Sequence, residues 1–438
     1  MTVKAKPLQL SLAMIKHRHV AQSGAGRTGQ LVGATVKRPL SIALVIRNLA
    51  GVIGGAERSI CLLANGLAAA GHYVTMVSED PTDEEPVFPV DPSVKRINVF
   101  RPRPFSSFRK FYLRRAPYWR LRHFLQWRFA HSQFKNSLRK VFVKFRPDVV
   151  VAFMPDATTT TLLAARGTGI PVITSFRTDP YSDFVSPTMW HPTEYDRRLR
   201  LALLHEAAAV HVLMPDFVSF FAPEIQAKTV VIPNGVTPGI DRAVGTVPRR
   251  PLILGLGRLA AQKNFKDLIE AWAMIAADHP DWSVEIHGEG EERPMLEALI
   301  RDRGVGRSCR LPGATKDVPR LLASGSILCH PALFEGFPRA PTEALACGLT
   351  VVAYDDCPGL SALLQHEQNA LLVPRSEGPA GLAAALDRLI RDEALRRRLS
   401  AAAPRSVAHF TDEACTAGWL DLIERVTSGR PVKDPTPA

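Results

Sequence analysis

The feature that most constrains this chain is an alternation of short, apolar, β-branched runs with segments of helical period. It occurs twice along the sequence. From Pro39 to Leu49 (PLSIALVIRNL) onward the order is a strand near 41–47, a glycine loop, a helix near 56–70 and the strand YVTMVS. DVVVAFM, a helix near 157–168, PVITSF, further helix, AVHVLM and TVVIP follow. Strands that read as continuous apolar runs between helices predict a parallel sheet covered on both faces. The segment NGVTPGIDRAVGTVPRRP then breaks the pattern, with glycine and proline and no periodicity, as a linker does. The alternation restarts with LILGLGRL and continues through WSVEIHGEG, SCRLPG, SILCHP, LTVVAYD and ALLVP. The fold class expected is α/β, two Rossmann-like doubly wound domains facing across a cleft, with ligands at the carboxyl ends of the strands.

This reading divides the chain into a basic, disordered tail (1–38), a first domain (39–235) with a basic aromatic insertion (101–146), and a linker (236–250). A second domain (251–411), a C-terminal helix packing back on the first domain (412–428) and a short tail (429–438) complete it. No run approaches the ~18 apolar residues of a membrane span. The apolar stretch Pro7–Ile15 is followed by KHRH where a cleavage site would lie, which argues against a secretory signal. The six cysteines are scattered without a C-x-x-C pair, so reduced thiols in a cytoplasm are expected and a metal site is not. The net charge of +13 is local: residues 101–146 hold 14 Lys or Arg and no carboxylate, and residues 1–40 add seven cations. The rest of the chain is net acidic, so the positive charge belongs to a patch.

GAGRTG (Gly24–Gly29) has the letters of a dinucleotide fingerprint, but neither strand nor helix flanks it. No phosphate loop and no D-x-D sequence are present, which leaves cationic side chains and backbone N–H groups to hold a diphosphate. GLGRLAAQKNF offers them: Gly255 and Gly257 end a strand, and Arg258 and Lys263 occupy the loop that enters the next helix. The bland alternative is a pair of solvated loop charges. FEGFPRAPTEALACG (Phe334–Gly348) opens a helix through Pro338 and Pro341, and Gly348 is placed to end it. Its start suits an anion, with Glu335 and Glu343 on either side. In the first domain, NLAGVIGGAERS puts Gly54 and Gly55 between strand and helix, where a backbone approaches a ligand closely or simply turns tightly.

GGAER, VIPNGV, GLGRLAAQKNF, HGEGEERPMLE, LPG and E-G-F-P-x-x-x-x-E-A-x-A-x-G, in this order, resemble the retaining glycosyltransferases of family 4. The resemblance covers about residues 40–428 and implies the GT-B architecture. It implies that Arg258 and Lys263 hold a donor diphosphate with the N–H groups of Gly336 and Phe337, that Glu335 binds sugar hydroxyls, and that Glu343 binds ribose hydroxyls. Gly257 and Glu289 would line the donor pocket, and Gly313 and Thr315 would lie near the base. The donor it implies is a nucleotide diphosphate sugar, UDP ahead of GDP, with no cofactor and no metal expected. The acceptor hydroxyl would attack on the face the leaving group departs from and give its proton to the departing phosphate oxygen. Where many relatives carry a histidine this chain has Arg177, followed by Asp179, as in a subset acting on lipid-linked or capsular sugars; both are assigned to the acceptor or to developing charge. Other GT-B chemistry, such as nucleotide-sugar epimerisation, and a non-catalytic sugar-nucleotide or nucleic-acid binder are the alternatives.

Residues 101–146 also hold twelve aromatics. Phe134, Leu138, Val141, Phe142 and Phe145 recur at helical spacing with cations elsewhere around the helix. One reading is a basic amphipathic surface on an anionic membrane, with Arg114, Arg115, Arg120 and Arg122 holding lipid or an anionic polyprenyl-linked glycan acceptor at the cytoplasmic face of the plasma membrane. Another is an aromatic stripe packed on the domain with its cations in water. Nucleic-acid binding is set aside for want of any recognisable module.

Overall fold

Seven parallel strands form the first sheet: β1 (Ser41–Val45), β2 (Tyr73–Ser78), β3 (Lys95–Asn98), β4 (Val149–Phe153), β5 (Val172–Ser175), β6 (Ala209–Val212) and β7 (Thr229–Val231), in the order β3-β2-β1-β4-β5-β6-β7. Six more, β8 (Leu252–Leu256), β9 (Ser283–His287), β10 (Cys309–Arg310), β11 (Ile327–His330), β12 (Thr350–Tyr354) and β13 (Ala370–Val373), form the second, in the order β10-β9-β8-β11-β12-β13. The computed structural model describes residues 38–433 other than 53, 83, 102–118, 186–193 and 361, and within 119–126 it describes the side chain of Phe124 alone. Residues 38–438 cluster as a single unit in which both sheets lie. The expectations for 1–37 and 434–438, for GAGRTG and for Arg114 and Arg115 fall outside the described residues, as do the side chains of Arg120 and Arg122.

Each sheet reverses its strand order once, between β1 and β4 and between β8 and β11. At such a switch point the two flanking crossovers lead away from each other and leave a crevice at the carboxyl ends of the strands. The strands fully buried on both faces, such as β4 (VVVAF) and β12 (TVVAY), are the β-branched runs that made the pattern readable. β3 (KRIN) escaped it, because an edge strand with two exposed cations carries no apolar run.

An apolar cluster runs from the first sheet into the second, with Phe176, Phe184 and Phe221 at one end and Phe337, Ala344 and Phe410 at the other. The helix Asp412–Ser428 lies against the helix Gly55–Ala69: Gly66 faces Thr416, and Trp419 stacks on Phe153 with ring centroids 6.0 Å apart. The chain therefore crosses between lobes twice. At the crossing, Val236 N–H donates to Phe410 O at 2.8 Å.

The helix Trp119–Phe145 decides between the readings of the basic segment's stripe. Phe134, Leu138, Val141 and Phe142 are packed into the core against the helix Met154–Ala165. Of the stripe only Phe145 reaches the surface, at 36% exposure, beneath Lys95 and Lys144. The apolar face is spent on folding, so the face the helix turns outward carries Arg139, Lys140 and Lys144. Among the described residues no helix is long and apolar enough to cross a membrane. Of the six free cysteines five are buried and Cys415 is partly so; burial pushes the Cys61 thiol up to about 11.

Candidate active site

The two loops at the second sheet's switch point bring three titratable groups together. After β8 the chain turns through Gly257, whose φ of +153° belongs to glycine, and a Cβ there would stand 3.3 Å from Lys263 Cε. The neighbouring loop presses just as closely: a Cβ on Gly288 would lie 1.8 Å from the Gly257 carbonyl oxygen. Lys263 closes a short 3₁₀ turn before the helix Phe265–Ile275 and donates through Nζ to Glu335 Oε1. The same oxygen accepts from His330 Nε2 at 2.8 Å.

Glu335 is 5% exposed and His330 1%. Burial alone would raise the Glu335 carboxyl, but the Lys263 cation and the His330 bond outweigh it and hold the group down at about 2. Burial lowers the His330 pKa, only partly offset by Glu335, so the imidazole is neutral. With Nε2–H given to the carboxylate, Nδ1 is left as a buried acceptor without a partner among the described residues. Glu335 Oε2 takes no hydrogen bond from the described residues. The arrangement is a fixed carboxylate with one oxygen neutralised and one free to accept from hydroxyl groups.

Next to it the helix Arg339–Ala346 begins, and no protein acceptor takes the N–H groups of Gly336 and Phe337 among the described residues. Gly336 is fixed by contact with the first lobe, since a Cβ there would stand 2.1 Å from the Arg177 carbonyl oxygen. The Phe337 ring serves the core, edge-on to Phe410. Arg258 is exposed, without an ion pair among the described residues, on the loop shared with Gly257. Two cations and two open N–H groups thus lie on the loops that follow β8 and β11, a set that suits the oxygens of a diphosphate.

The remaining residues singled out from sequence fall into separate groups. Glu289, on the Gly288 loop one strand away from Lys263, is exposed and forked by Arg293 at 2.8 and 3.1 Å, and Gly313, on the loop after β10, lies against its Oε1. Thr315 Oγ1 accepts the Asp317 N–H and shapes the turn before the helix Val318–Ser324. Glu343, 8% exposed, accepts from Thr237 Oγ1, which also accepts from Arg58 Nη2 at 2.8 Å. Gly54 caps the helix Gly55–Ala69 against the Glu57 side chain, and open space surrounds Gly55.

Arg177 donates to Asn234 Oδ1 and lies over the Phe153 ring, with burial lowering its pKa to about 10. Asp179 is occupied as the N-cap of the helix Pro180–Phe184, accepting from Tyr181 N, Ser182 N and Ser182 Oγ. Its carboxylate is spent on that turn. His330, Thr237, Asn234, Arg58 and Arg339 were not singled out by sequence reasoning. His330 had one signal, its place as the last residue of a buried strand just before the glutamate motif.

The family described as Glycosyl transferases group 1 matches residues 238–406, and Glycosyltransferase Family 4 matches residues 53–239. Together the two matches run from residue 53 to residue 406 and support a family 4-like glycosyltransferase. Its fold is that of GT-B enzymes: a sucrose-phosphate synthase from Thermosynechococcus elongatus superposes with a TM-score of 0.71 at 20% identity, covering 89% of this chain and 99% of that one. HepE from Anabaena, crystallised with UDP and glucose, gives 0.63 at 19% identity over 88% and 99%. The lipopolysaccharide core biosynthesis glycosyltransferase LpsD of Rhizobium meliloti is 31% identical over 180 residues, 41% of this chain and 51% of the relative. The chain spans 22% to 58% of the length of four curated relatives that it matches.

Proposed function

We propose that this glycosyltransferase moves a sugar, with retention of configuration and without a metal, from a nucleotide diphosphate sugar to a glycan or polyprenyl-linked acceptor of a surface polysaccharide or glycolipid. The observation that carries the reading is the Lys263–Glu335–His330 constellation beside the open N–H groups of Gly336 and Phe337, at the switch point of the second sheet. Cleavage of the anomeric C–O bond leaves its electron pair on the diphosphate. Lys263, Arg258 and the N–H groups are placed to stabilise that charge as it develops. The acceptor hydroxyl forms the new C–O bond on the same face and passes its proton to the departing phosphate oxygen. Glu335 Oε2 accepts from hydroxyls of the transferred sugar, and Glu343 from the ribose.

UDP is preferred over GDP, in keeping with the UDP held by HepE, and the name of LpsD supports a surface-glycan product. Docking to an anionic cytoplasmic membrane face rests chiefly on the cations of 101–146, since every residue of the apolar stripe but Phe145 is buried. Screening UDP and GDP sugars for thermal stabilisation, then fixing the anomeric configuration of the product by NMR with and without EDTA, tests the donor, the retention and the metal together. An inverted product or EDTA-sensitive turnover refutes the corresponding part. Sedimentation with anionic vesicles, wild type against the Ser replacements of Arg114, Arg115, Arg120 and Arg122, tests the membrane; equal binding refutes it.

A further inference from the structure

A cleft of about 230 Å³ opens at the carboxyl edge of β1, β2 and β3, in the first lobe and away from the donor motifs. Met76 and Ser78 face it from β2, two residues apart and so on one side of the strand, and their register partners Arg96 and Asn98 face it from β3. Its framework is fully bonded. Asp80 Oδ1 accepts the N–H groups of Leu49 and Ala50 at 2.6 and 2.9 Å, and Asn98 ties Asp80 to Thr82 through both ends of its amide.

What is left over defines the ligand. Asp80 is 4% exposed, and its Oδ2 takes no hydrogen bond from the described residues. The hydroxyls of Ser78 and Thr82 and the carboxylate of Glu84 likewise have no side-chain partner among them. The cation of the lining, Arg96, is spent on Glu85 at 2.5 Å. Two carboxylates and two hydroxyls above an apolar floor of Met76 and Pro86 match the O–H groups and C–H face of a sugar ring. A phosphate or uronate would meet Asp80 and Glu84, and the one cation among the described lining residues, Arg96, already pairs with Glu85.

We propose that this cleft is a sugar subsite for a neutral or amino sugar of the acceptor, removed from the hydroxyl that reacts. Calling its occupant part of the acceptor rests on the transferase reading above; the sugar affinity itself does not. The test is saturation-transfer NMR on the full chain with methyl glucoside, glucosamine and glucuronic acid, each at millimolar concentration, with UDP present to fill the nucleotide site. Saturation is expected on the first two and not on the third. Thr82→Trp, at the exposed rim, is expected to abolish it while leaving the UDP-induced shift in Tm unchanged, and Glu84→Gln to weaken glucosamine at least threefold more than the glucoside. No transfer to any sugar, glucuronic acid equal to glucosamine, or an undiminished signal in Thr82→Trp overturns the proposal. A wild type that gives the sugar signals but no UDP shift overturns the transferase reading and leaves the cleft's sugar affinity standing.

Discussion

Replacing Lys263 by Met removes the cation beside Glu335 while keeping most of the side chain's volume over Gly257. The carboxylate is 5% exposed, so it cannot recover its lost partner from water. Breaking a buried pair from one side costs about 3 to 5 kcal/mol. Two responses limit the loss. Glu335 can take up a proton once the cation that holds it near 2 is gone, and His330, 2.8 Å away, can become the imidazolium that the carboxylate then favours. We therefore expect the lower end, about 3 kcal/mol at pH 7. Glu335→Gln should cost about 1 to 2 kcal/mol, because Lys263, with 18% of its side chain exposed, reaches water more easily than the carboxylate does. The double variant should return to within about 1 kcal/mol of wild type, since neither charge is then left alone. All three should lose donor turnover. Urea unfolding at pH 7 with UDP-sugar turnover on the same preparations measures both. A double variant no more stable than Lys263→Met, or near-normal turnover in Lys263→Met, refutes the reasoning.

Gly336→Ala places a methyl 2.1 Å from the Arg177 carbonyl and 2.8 Å from Thr178 Cα, so the lobes must part there; we expect about 1 to 3 kcal/mol of destabilisation and a fall in kcat, read by Tm and turnover. Glu343→Gln can still accept from Thr237, so its unfolding free energy should change by less than about 1 kcal/mol while the UDP-induced Tm shift falls. Acid should weaken the fold in two windows. Burial first and Arg177 second lower the His211 pKa to about 3, so between about 6.5 and 3 the unfolded chain binds a proton the folded chain refuses, and stability falls with falling pH by up to about 1.4 kcal/mol per unit. Glu335, depressed to about 2, contributes stability that is present above about 4.5 and lost as pH falls toward 2. His211→Gln should flatten the first window in urea titrations and leave the second.

What could be read from sequence was what repeats or has a fixed spacing. The buried strands announced themselves because a parallel sheet covered on both faces needs runs like VVVAF and TVVAY, and those runs fixed the α/β class. Lys263 and Glu335 were legible as candidates because each sits just beyond such a strand. Their direct pairing was not, because it depends on where β8 and β11 stand as neighbours, a matter of strand order rather than of local sequence. His330 was hidden for the same reason: a histidine ending an apolar strand reads as core until the carboxylate opposite is placed. Asp179 was misleading in the other direction, since a loop carboxylate before a proline serves equally as a helix cap, and that is where its oxygens go. The stripe from Phe134 to Phe145 was helical as expected, but periodicity alone does not say whether core or lipid takes the apolar face.

The helix Asp412–Ser428 carries a consequence for how such a protein can be recombined. The second lobe ends near residue 411, yet the residues after it complete the opposite lobe, with Trp419 against Phe153 and Leu422 and Ile423 buried beside the helix Gly55–Ala69. A chimera that imports a relative's second lobe through one junction near residue 240 also imports a foreign final helix, shaped for another partner. The exchange has to be a cassette with two splice points, one in the Asn234–Val236 stretch and one near Phe410, where the crossing segments are hydrogen-bonded to each other. Single-junction chimeras should come out insoluble, and cassette chimeras folded.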